Sequence, residues 1–157
     1  LHHPLHALRL DGEPPADQTL MWKGLWLRWL FMLLMLATGI GKLLDMPGFV
    51  GVVATYRLLP EALLTPSAWA LVLTELLLAA WLLWGKRLQP AALLLIGMHL
   101  MYLVWQLLTL LRGISLDNCG CFGVFLARPL TWFTPLEDLL LIALAVWFWR
   151  GAKRQAA

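Results

Sequence analysis

The chain has 157 residues, of which 61% are hydrophobic and 13% are charged, and its mean hydropathy is +0.76. This composition excludes an ordinary water-soluble domain, in which about 25% of the residues are charged, and it predicts a lipid bilayer as the surroundings of the chain. The formal net charge is +3. Because no basic patch interleaved with aromatic residues accompanies that charge, the sequence predicts no nucleic-acid partner.

Apolar runs dominate the chain, and a helix needs roughly 20 mostly apolar residues to cross a bilayer. The runs cover residues 25–44, 66–84, 90–111 and 135–149. The sequence therefore predicts an all-α fold, an integral membrane four-helix bundle over residues 25–150. We expect residues 1–24 to form an irregular N-terminal extension and residues 151–157 to form a basic C-terminal tail. A secretory signal is the alternative for the first run, but no small-residue cleavage site follows it.

Helix-capping signals mark two of these runs. Thr65-Pro66 and Thr134-Pro135 each place an N-cap residue before a proline, which favours the first helical position. Thr134 and Glu137 also have the spacing of a capping box. The short connection 85–89 predicts that the second and third long helices are antiparallel neighbours.

The first connection, residues 45–64, has a pattern of its own. Pro47 is followed by apolar residues at helical spacing, which predicts a short amphipathic helix at the membrane interface. A hydrophobic loop is the alternative.

Lys and Arg residues are distributed unevenly around the predicted spans. Eight lie in the N-terminal flank, the second connection and the C-terminus, whereas four lie in the first and third connections. Short loops rich in Lys and Arg stay in the cytoplasm. Both termini are therefore predicted to be cytoplasmic, and the first and third connections extracytoplasmic.

The two cysteines of the chain, Cys119 and Cys121, lie one residue apart in the third connection. Disulfides persist outside the cytoplasm. A disulfide across a single residue closes a small strained ring and stabilises the fold little, so the pair is better suited to thiol exchange than to stapling. We interpret the pair as catalytic and redox-active; inert buried thiols or a rigid turn are the alternatives. No metal site is predicted, because the outer connections offer no His to complete a zinc site.

Ionisable residues within a span are functional candidates, because they are costly at bilayer depth. Glu75 and His99 lie at similar depth on either side of the short second connection. We expect them to form a hydrogen-bonded pair, or a proton-handling couple near a quinone.

A polar stripe runs along the third span. His99, Tyr102, Gln106 and Thr109 share one helical face that leads towards the cysteines. Hydrogen bonding that holds the bundle together is the alternative role for this stripe.

Lys42 and Asp45 lie one helical turn apart at the end of the first span, and glycines accompany them. They are predicted to pair, either to anchor the cysteine loop or as a simple interfacial ion pair. Gly39 and Gly41 predict a close helix approach at this level.

Several segments carry a family resemblance. They are Gly41-Lys42-Leu43-Leu44-Asp45, then Phe49, then Tyr56-Arg57-Leu58-Leu59-Pro60, and finally Cys119-Gly120-Cys121-Phe122-Gly123. Together they resemble the MauE family of methylamine-utilisation proteins, in the wider DoxX-like group of four-helix membrane proteins. The resemblance covers residues 25–150. Cys119 and Cys121 match the family motif, whereas the interpretation of Glu75 and His99 has no family support.

The resemblance implies a multi-pass protein of the bacterial inner (cytoplasmic) membrane. It also implies a periplasmic thioredoxin-like partner, with which the protein forms or isomerises disulfides during maturation of a periplasmic redox protein such as methylamine dehydrogenase.

Two functional hypotheses follow from the sequence. In the first, Cys119 and Cys121 cycle between dithiol and disulfide, a thioredoxin-like protein supplies the second exchanging pair, and a quinone is the one candidate cofactor. In the second, the chain is a non-catalytic accessory or assembly subunit of a larger membrane complex, and the cysteine turn shapes a docking surface. A transporter is disfavoured, because the chain lacks paired broken helices.

Overall fold

The computed structural model describes residues 16–156, with side chains for residues 24–153. This part of the chain is all-helical and contains no strand, as predicted. The five helices are α1 (Ala16–Leu43), α2 (Met46–Thr55), α3 (Glu61–Trp84), α4 (Leu88–Leu111) and α5 (Phe133–Ala156).

Three stretches of the described chain are long and apolar enough to cross a membrane: Gly24–Leu43, Glu61–Trp84 and Leu88–Leu111. The protein is therefore a multi-pass membrane protein surrounded by lipid. The remaining long helix, α5, has 24 residues but carries Glu137 and Asp138 near its start and basic residues near its end. A fourth span through α5 remains a prediction.

The four long helices all begin earlier than predicted, α1 and α3 by more residues than α4 and α5. α1 begins at Ala16 and so takes up part of the predicted extension, of which residues 1–15 lie outside the described residues. α3 begins at Glu61 with Pro60 as its N-cap, and Pro66 lies inside the helix, so the cap predicted at Thr65 is wrong. Pro60 has the extended backbone angles of an N-cap residue, and the Glu61 carboxylate interacts favourably with the positive end of the helix dipole. Together they start α3 several residues before Pro66.

The predicted capping box at Thr134 is also wrong. α5 begins at Phe133, and the Thr134 hydroxyl accepts a hydrogen bond from the Thr131 backbone N–H at 3.3 Å. Glu137 pairs with the Arg128 guanidinium instead of the helix start. A charged partner outside the helix thus replaces the local cap.

The short helix predicted in the first connection is α2. The Asp45 carboxylate caps it by accepting from the Gly48 N–H at 2.9 Å, and Pro47 lies in its first turn. Its apolar side chains, including Phe49 and Val52, are buried against α3 and the segment around the cysteines.

Arg28 fixes the α3–α4 turn, which joins antiparallel neighbours as predicted. Gly85 has the positive φ, 77°, of a helix C-cap, and the Arg28 guanidinium donates to the carbonyls of Leu82 and Leu83 at 2.7 and 2.8 Å. Towards this end lies a tightly packed core that we call the apolar core. It includes Leu27, Phe31, Met35, Leu78, Leu82, Leu95 and Phe148.

The helices pack mainly in two pairs, α1 on α3 and α4 on α5. The predicted close approach at the glycines is present: a Cβ on Gly39 would lie 2.8 Å from Leu76 Cδ2 of α3. A Cβ on Gly41 would lie 2.5 Å from the Phe122 carbonyl oxygen. The second contact brings the chain segment with the cysteines onto the end of α1.

Candidate functional site

The cysteine loop, residues 114–124, is closed around the two thiols by one side chain. The Asn118 carboxamide oxygen accepts from the Gly120 N–H at 2.8 Å, and its nitrogen donates to the Gly123 carbonyl at 3.0 Å. Gly120 and Gly123 have φ values of 74° and 76°, a backbone region that residues other than glycine rarely adopt. Asn118 and the two glycines therefore set the shape of the loop.

Backbone hydrogen bonds fix Cys119 to the rest of the molecule. Its carbonyl accepts from the Tyr56 hydroxyl at 2.6 Å, and its N–H donates to the Arg128 carbonyl at 2.7 Å. A Cβ on Gly120 would lie 2.8 Å from Val52 Cγ1, so the loop lies directly on α2. The cysteine pair is thus part of the packed structure rather than an exposed loop tip.

The two cysteines are free thiols, and their sulfur atoms lie 2.7 Å apart. Cys119 is buried and Cys121 is half-buried. The hydrogen bond with Cys121 is the main cause that lowers the pKa of Cys119 from 9.0 to about 6, with a contribution from the Arg128 charge against the opposing effect of burial. The same hydrogen bond and burial raise the pKa of Cys121, and the Lys42 ammonium partly opposes that rise. The pair therefore favours a thiolate on Cys119 beside a thiol on Cys121.

Lys42 and Glu75 form a buried ion pair between α1 and α3. Their residues are 3% and 0% exposed, and the Tyr102 hydroxyl donates to Glu75 Oε1 at 2.6 Å. The predicted pair of Lys42 with Asp45 is therefore wrong. Lys42 points into the bundle, where a buried ammonium requires a carboxylate partner, whereas Asp45 lies beyond the end of α1 and caps α2.

His99 is paired with Asp138 of α5. Its Nδ1 lies 2.8 Å from Asp138 Oδ1, and the Gln106 side-chain nitrogen donates to Asp138 Oδ2 at 2.7 Å. The predicted hydrogen-bonded pair of Glu75 and His99 is therefore wrong. α4 packs mainly on α5 and α3 mainly on α1, so each group finds its charged partner within its own helix pair.

One cavity of about 340 Å³ is lined by the two thiols, by the Lys42–Glu75 pair and by the His99–Asp138 pair. Among its lining residues are Cys119, Cys121, Lys42, Glu75, His99 and Asp138. Tyr102 and Gln106 also line it, whereas Asp45 and Thr109 do not. Seven of the side chains that the sequence singled out therefore meet at one place, although the sequence paired them differently.

Four side chains contribute to the site although the sequence did not identify them as site residues. They are Tyr56, Asn118, Arg128 and Asp138. Asp138 carried a usable signal, because an acidic residue inside a predicted span is a functional candidate. Tyr56 carried a signal only through the family resemblance, since 63 residues separate it from Cys119. Arg128 lies in the same connection as the cysteines, but no motif or spacing predicted that its carbonyl and its charge would act on Cys119.

The donor set of the cavity does not resemble a metal centre. Within residues 24–153, no group of three or more His, Cys, Asp or Glu side chains is placed to hold a metal ion. What the arrangement offers chemically is a thiol pair of unequal acidity beside buried hydrogen-bonding groups.

Fold and site together define a multi-pass helical membrane protein with a thiol pair packed on one end of its bundle. Comparison with known proteins narrows this class. The family described as "Methylamine utilisation protein MauE" matches residues 20–151, so the chain belongs to the MauE family, which is involved in methylamine utilisation.

A relative named "Methylamine utilization protein MauE" from Paracoccus denitrificans is 33% identical over 123 residues. The match covers 78% of this chain and 66% of the relative, just under two thirds of the relative's length. No solved structure gives a significant match.

Proposed function

We propose that the chain is a thiol–disulfide redox protein of the bacterial inner membrane. It works with a periplasmic thioredoxin-like partner in maturing a periplasmic redox protein of the methylamine dehydrogenase type. The observation that carries the proposal is the pair of free thiols 2.7 Å apart, with the pKa of Cys119 lowered and that of Cys121 raised. Membership of the MauE family supports the link to methylamine utilisation.

The proposed topology has α5 as a fourth span, both termini in the cytoplasm and the cysteine loop in the periplasm. The acidic residues of α5 are compatible with this, because Asp138 is hydrogen-bonded to His99 and Gln106 and Glu137 pairs with Arg128. The basic residues near the α3–α4 turn and at the end of α5 lie on the side proposed to be cytoplasmic.

Topology is tested by labelling the cysteines with a membrane-impermeant maleimide. Labelling in right-side-out vesicles, and none in inverted vesicles until they are permeabilised, is the expected result. The reverse pattern would overturn the orientation.

Exchange begins from the Cys119–Cys121 disulfide. A partner thiolate attacks the more accessible Cys121 sulfur, the Cys119–Cys121 bond breaks, and Cys119 leaves as a thiolate. A thiol of lowered pKa is the better leaving group. The second partner thiol, as its thiolate, then attacks the mixed disulfide and releases Cys121, which takes up a proton. The partner loses two electrons and becomes a disulfide, and the cysteine pair gains them and becomes a dithiol.

The main experiment measures oxidation of a reduced thioredoxin-fold protein by membranes that contain the full chain. We expect Cys119→Ser/Cys121→Ser to abolish this oxidation. Ser115→Ala, an exposed position in the same loop, is the matched control and should leave the rate unchanged. Oxidation that persists in the double-serine variant would exclude the proposed role of the cysteines.

Trapping a mixed disulfide distinguishes a thiol–disulfide redox protein from a non-catalytic accessory subunit. Cys119→Ser keeps the half-buried Cys121 and lacks the neighbouring thiol that would resolve a mixed disulfide. With Cys121 activated as a mixed disulfide with 2-nitro-5-thiobenzoate, the single thiol of a thioredoxin-fold protein whose second cysteine is replaced by serine should displace the nitrothiobenzoate and form a stable covalent adduct. Adduct formation supports exchange. Thiols that form no adduct in either single-serine variant would support an accessory subunit that uses the loop for docking.

A further inference from the structure

The cavity holds more polar groups than thiol exchange requires. Among the side chains described for residues 24–153, four buried polar atoms have no hydrogen-bond partner: Glu75 Oε2, His99 Nε2, Gln106 Oε1 and Trp149 Nε1. The first three belong to side chains that line the cavity, and Trp149 does not line it. Buried polar groups are nearly always paired, because leaving one unpaired costs about 1–3 kcal/mol. Glu75 Oε2 and Gln106 Oε1 are hydrogen-bond acceptors, and His99 Nε2 accepts in the neutral ring and donates in the charged ring. Their concentration here indicates a site for a ligand whose polar groups can donate as well as accept.

The rest of the cavity wall is largely apolar. It includes Leu34, Leu71, Trp105 and Leu140, and Leu140 is 61% exposed on the outside of the bundle as well. The wall therefore reaches a surface that we expect to face lipid. A volume of about 340 Å³ is enough for a small ring system, at the lower end of about 300–1,000 Å³ for small-molecule sites. The matching ligand is a lipophilic molecule with a compact polar head.

The third property of the site is redox chemistry. Cys119 and Cys121 form part of the same wall, and the Lys42 ammonium lies close enough to influence the Cys121 thiol. A ligand in the cavity thus lies beside a donor of two electrons. Of the lipophilic molecules of a bacterial membrane, the quinone and quinol couple combines a ring, two oxygens that accept hydrogen bonds in the quinone and donate them in the quinol, and a two-electron conversion between the two forms.

We propose that this cavity binds the headgroup of a membrane quinone, which takes two electrons from Cys119 and Cys121. Cys119 reacts as its thiolate and Cys121 as its thiol, so one S–H bond breaks, one S–S bond forms, and both carbonyl oxygens of the quinone become hydroxyls. The Cys121 thiol supplies one proton and water supplies the other, so no further oxidant or reductant is needed. The inference rests on the proposed function and extends it by naming the oxidant of the cysteine pair and the direction of electron flow, from partner to membrane.

We assign His99 the role of passing a proton to one quinone oxygen. Its Nδ1 is held by Asp138 at 2.8 Å, which fixes the ring and leaves Nε2 without a protein partner. A histidine oriented by a carboxylate in this way can pass a proton at Nε2 while Asp138 stabilises the charged ring.

The test uses decylubiquinone and the full chain in lipid nanodiscs, reduced with dithiothreitol and then freed of it. We expect equimolar reduction of decylubiquinone, followed by its ultraviolet absorbance, together with loss of both free thiols. Cys119→Ser/Cys121→Ser should reduce none. Thiols that stay reduced in excess decylubiquinone, or equal reduction by the double-serine variant, would overturn the inference.

Two variants locate the site. His99→Gln should slow decylubiquinone reduction about 100-fold. Trp149→Phe is the matched control, because among the side chains of residues 24–153 it removes the one buried unpartnered atom that lies outside the cavity, and it should leave the rate unchanged. Leu34→Trp narrows the cavity, so it should raise KM for decylubiquinone more than it lowers kcat and weaken quenching of tryptophan fluorescence by the quinone. Equal effects of His99→Gln and Trp149→Phe would contradict the assignment.

A separate measurement distinguishes this inference from the proposed function. Oxidised, unmodified protein is mixed with a reduced thioredoxin-fold protein without any quinone, in a single turnover. Exchange without decylubiquinone reduction would overturn the quinone inference and leave the proposed function standing. Decylubiquinone reduction without exchange would support the quinone site and overturn the role of the soluble partner.

Discussion

The two ends of the bundle differ in how they are filled. At the α3–α4 turn, the apolar core packs Phe31, Leu82 and Leu95 with no exposed surface. At the cysteine end, a buried ion pair, Lys42 with Glu75, and a buried hydrogen-bonded pair, His99 with Asp138, line a cavity. One end therefore contributes close apolar packing, whereas the other is packed less closely around charged groups and two reactive thiols. Variants at the two ends should therefore affect different properties.

The largest effect is expected from Lys42→Met, which leaves Glu75 buried without its charged partner. Removing one member of a buried ion pair typically costs about 3–5 kcal/mol. The free energy of unfolding, measured in detergent micelles by denaturant titration, should fall by about that amount. Lys42→Met/Glu75→Gln, which removes both charges, should recover most of the loss; no recovery in the double variant would show that the pair is not the cause.

Leu82→Ala tests the opposite end. Leu82 has no exposed surface, and truncating such a residue costs about 2–4 kcal/mol in lost contacts and cavity formation. The free energy of unfolding should fall by that amount, while the rate of Cys119 alkylation stays unchanged. Leu83→Ala, at an exposed neighbouring position, is the matched control and should change neither property. An altered thiol reactivity in Leu82→Ala would show that the two ends are coupled.

Cys121→Ala tests the cause of the lowered pKa of Cys119. A thiolate forms above the pKa of its thiol, so in the unmodified protein the rate of Cys119 alkylation by iodoacetamide should rise around pH 6. Loss of the hydrogen bond from Cys121 should move this rise towards pH 9.0, the ordinary value. At pH 7 the variant should react about fourfold more slowly, because the smaller thiolate fraction is partly offset by the greater nucleophilicity of a thiolate of higher pKa, as measured by mass spectrometry of the labelled peptide. A midpoint that stays near pH 6 would assign the shift to Arg128 instead.

The smallest effect is expected from Tyr56→Phe, which removes the hydrogen bond to the Cys119 carbonyl and keeps the ring packed beside Trp105. A hydrogen bond of this kind contributes about 1 kcal/mol. Hydrogen exchange of the loop amides should speed up about fivefold, which corresponds to that energy. Thr74→Ala, whose hydroxyl bonds only within an exposed turn of α3, should leave the exchange unchanged. Equal protection in Tyr56→Phe would mean that the loop is held by its other contacts.

Hydropathy and composition predicted the helices well but their first residues poorly. Three of the four predicted spans are present as apolar helices, and the short helix before α3 is present as α2. The starts of α3 and α5 were assigned from Thr-Pro pairs and are wrong, because Pro60 and the Arg128–Glu137 pair compete with the local caps. Local signals of about 1 kcal/mol are easily overridden by such contacts.

Residue chemistry and position within apolar runs were enough to identify the side chains that are costly to bury or reactive: Cys119, Cys121, Lys42, Glu75 and His99. Their partners were not predictable in the same way, since Asp138 bonds to His99 across 39 residues and Glu75 bonds to Lys42 across 33. Spacing along a helix sets the face and depth of a side chain, whereas its partner depends on which helices pack together in the folded protein.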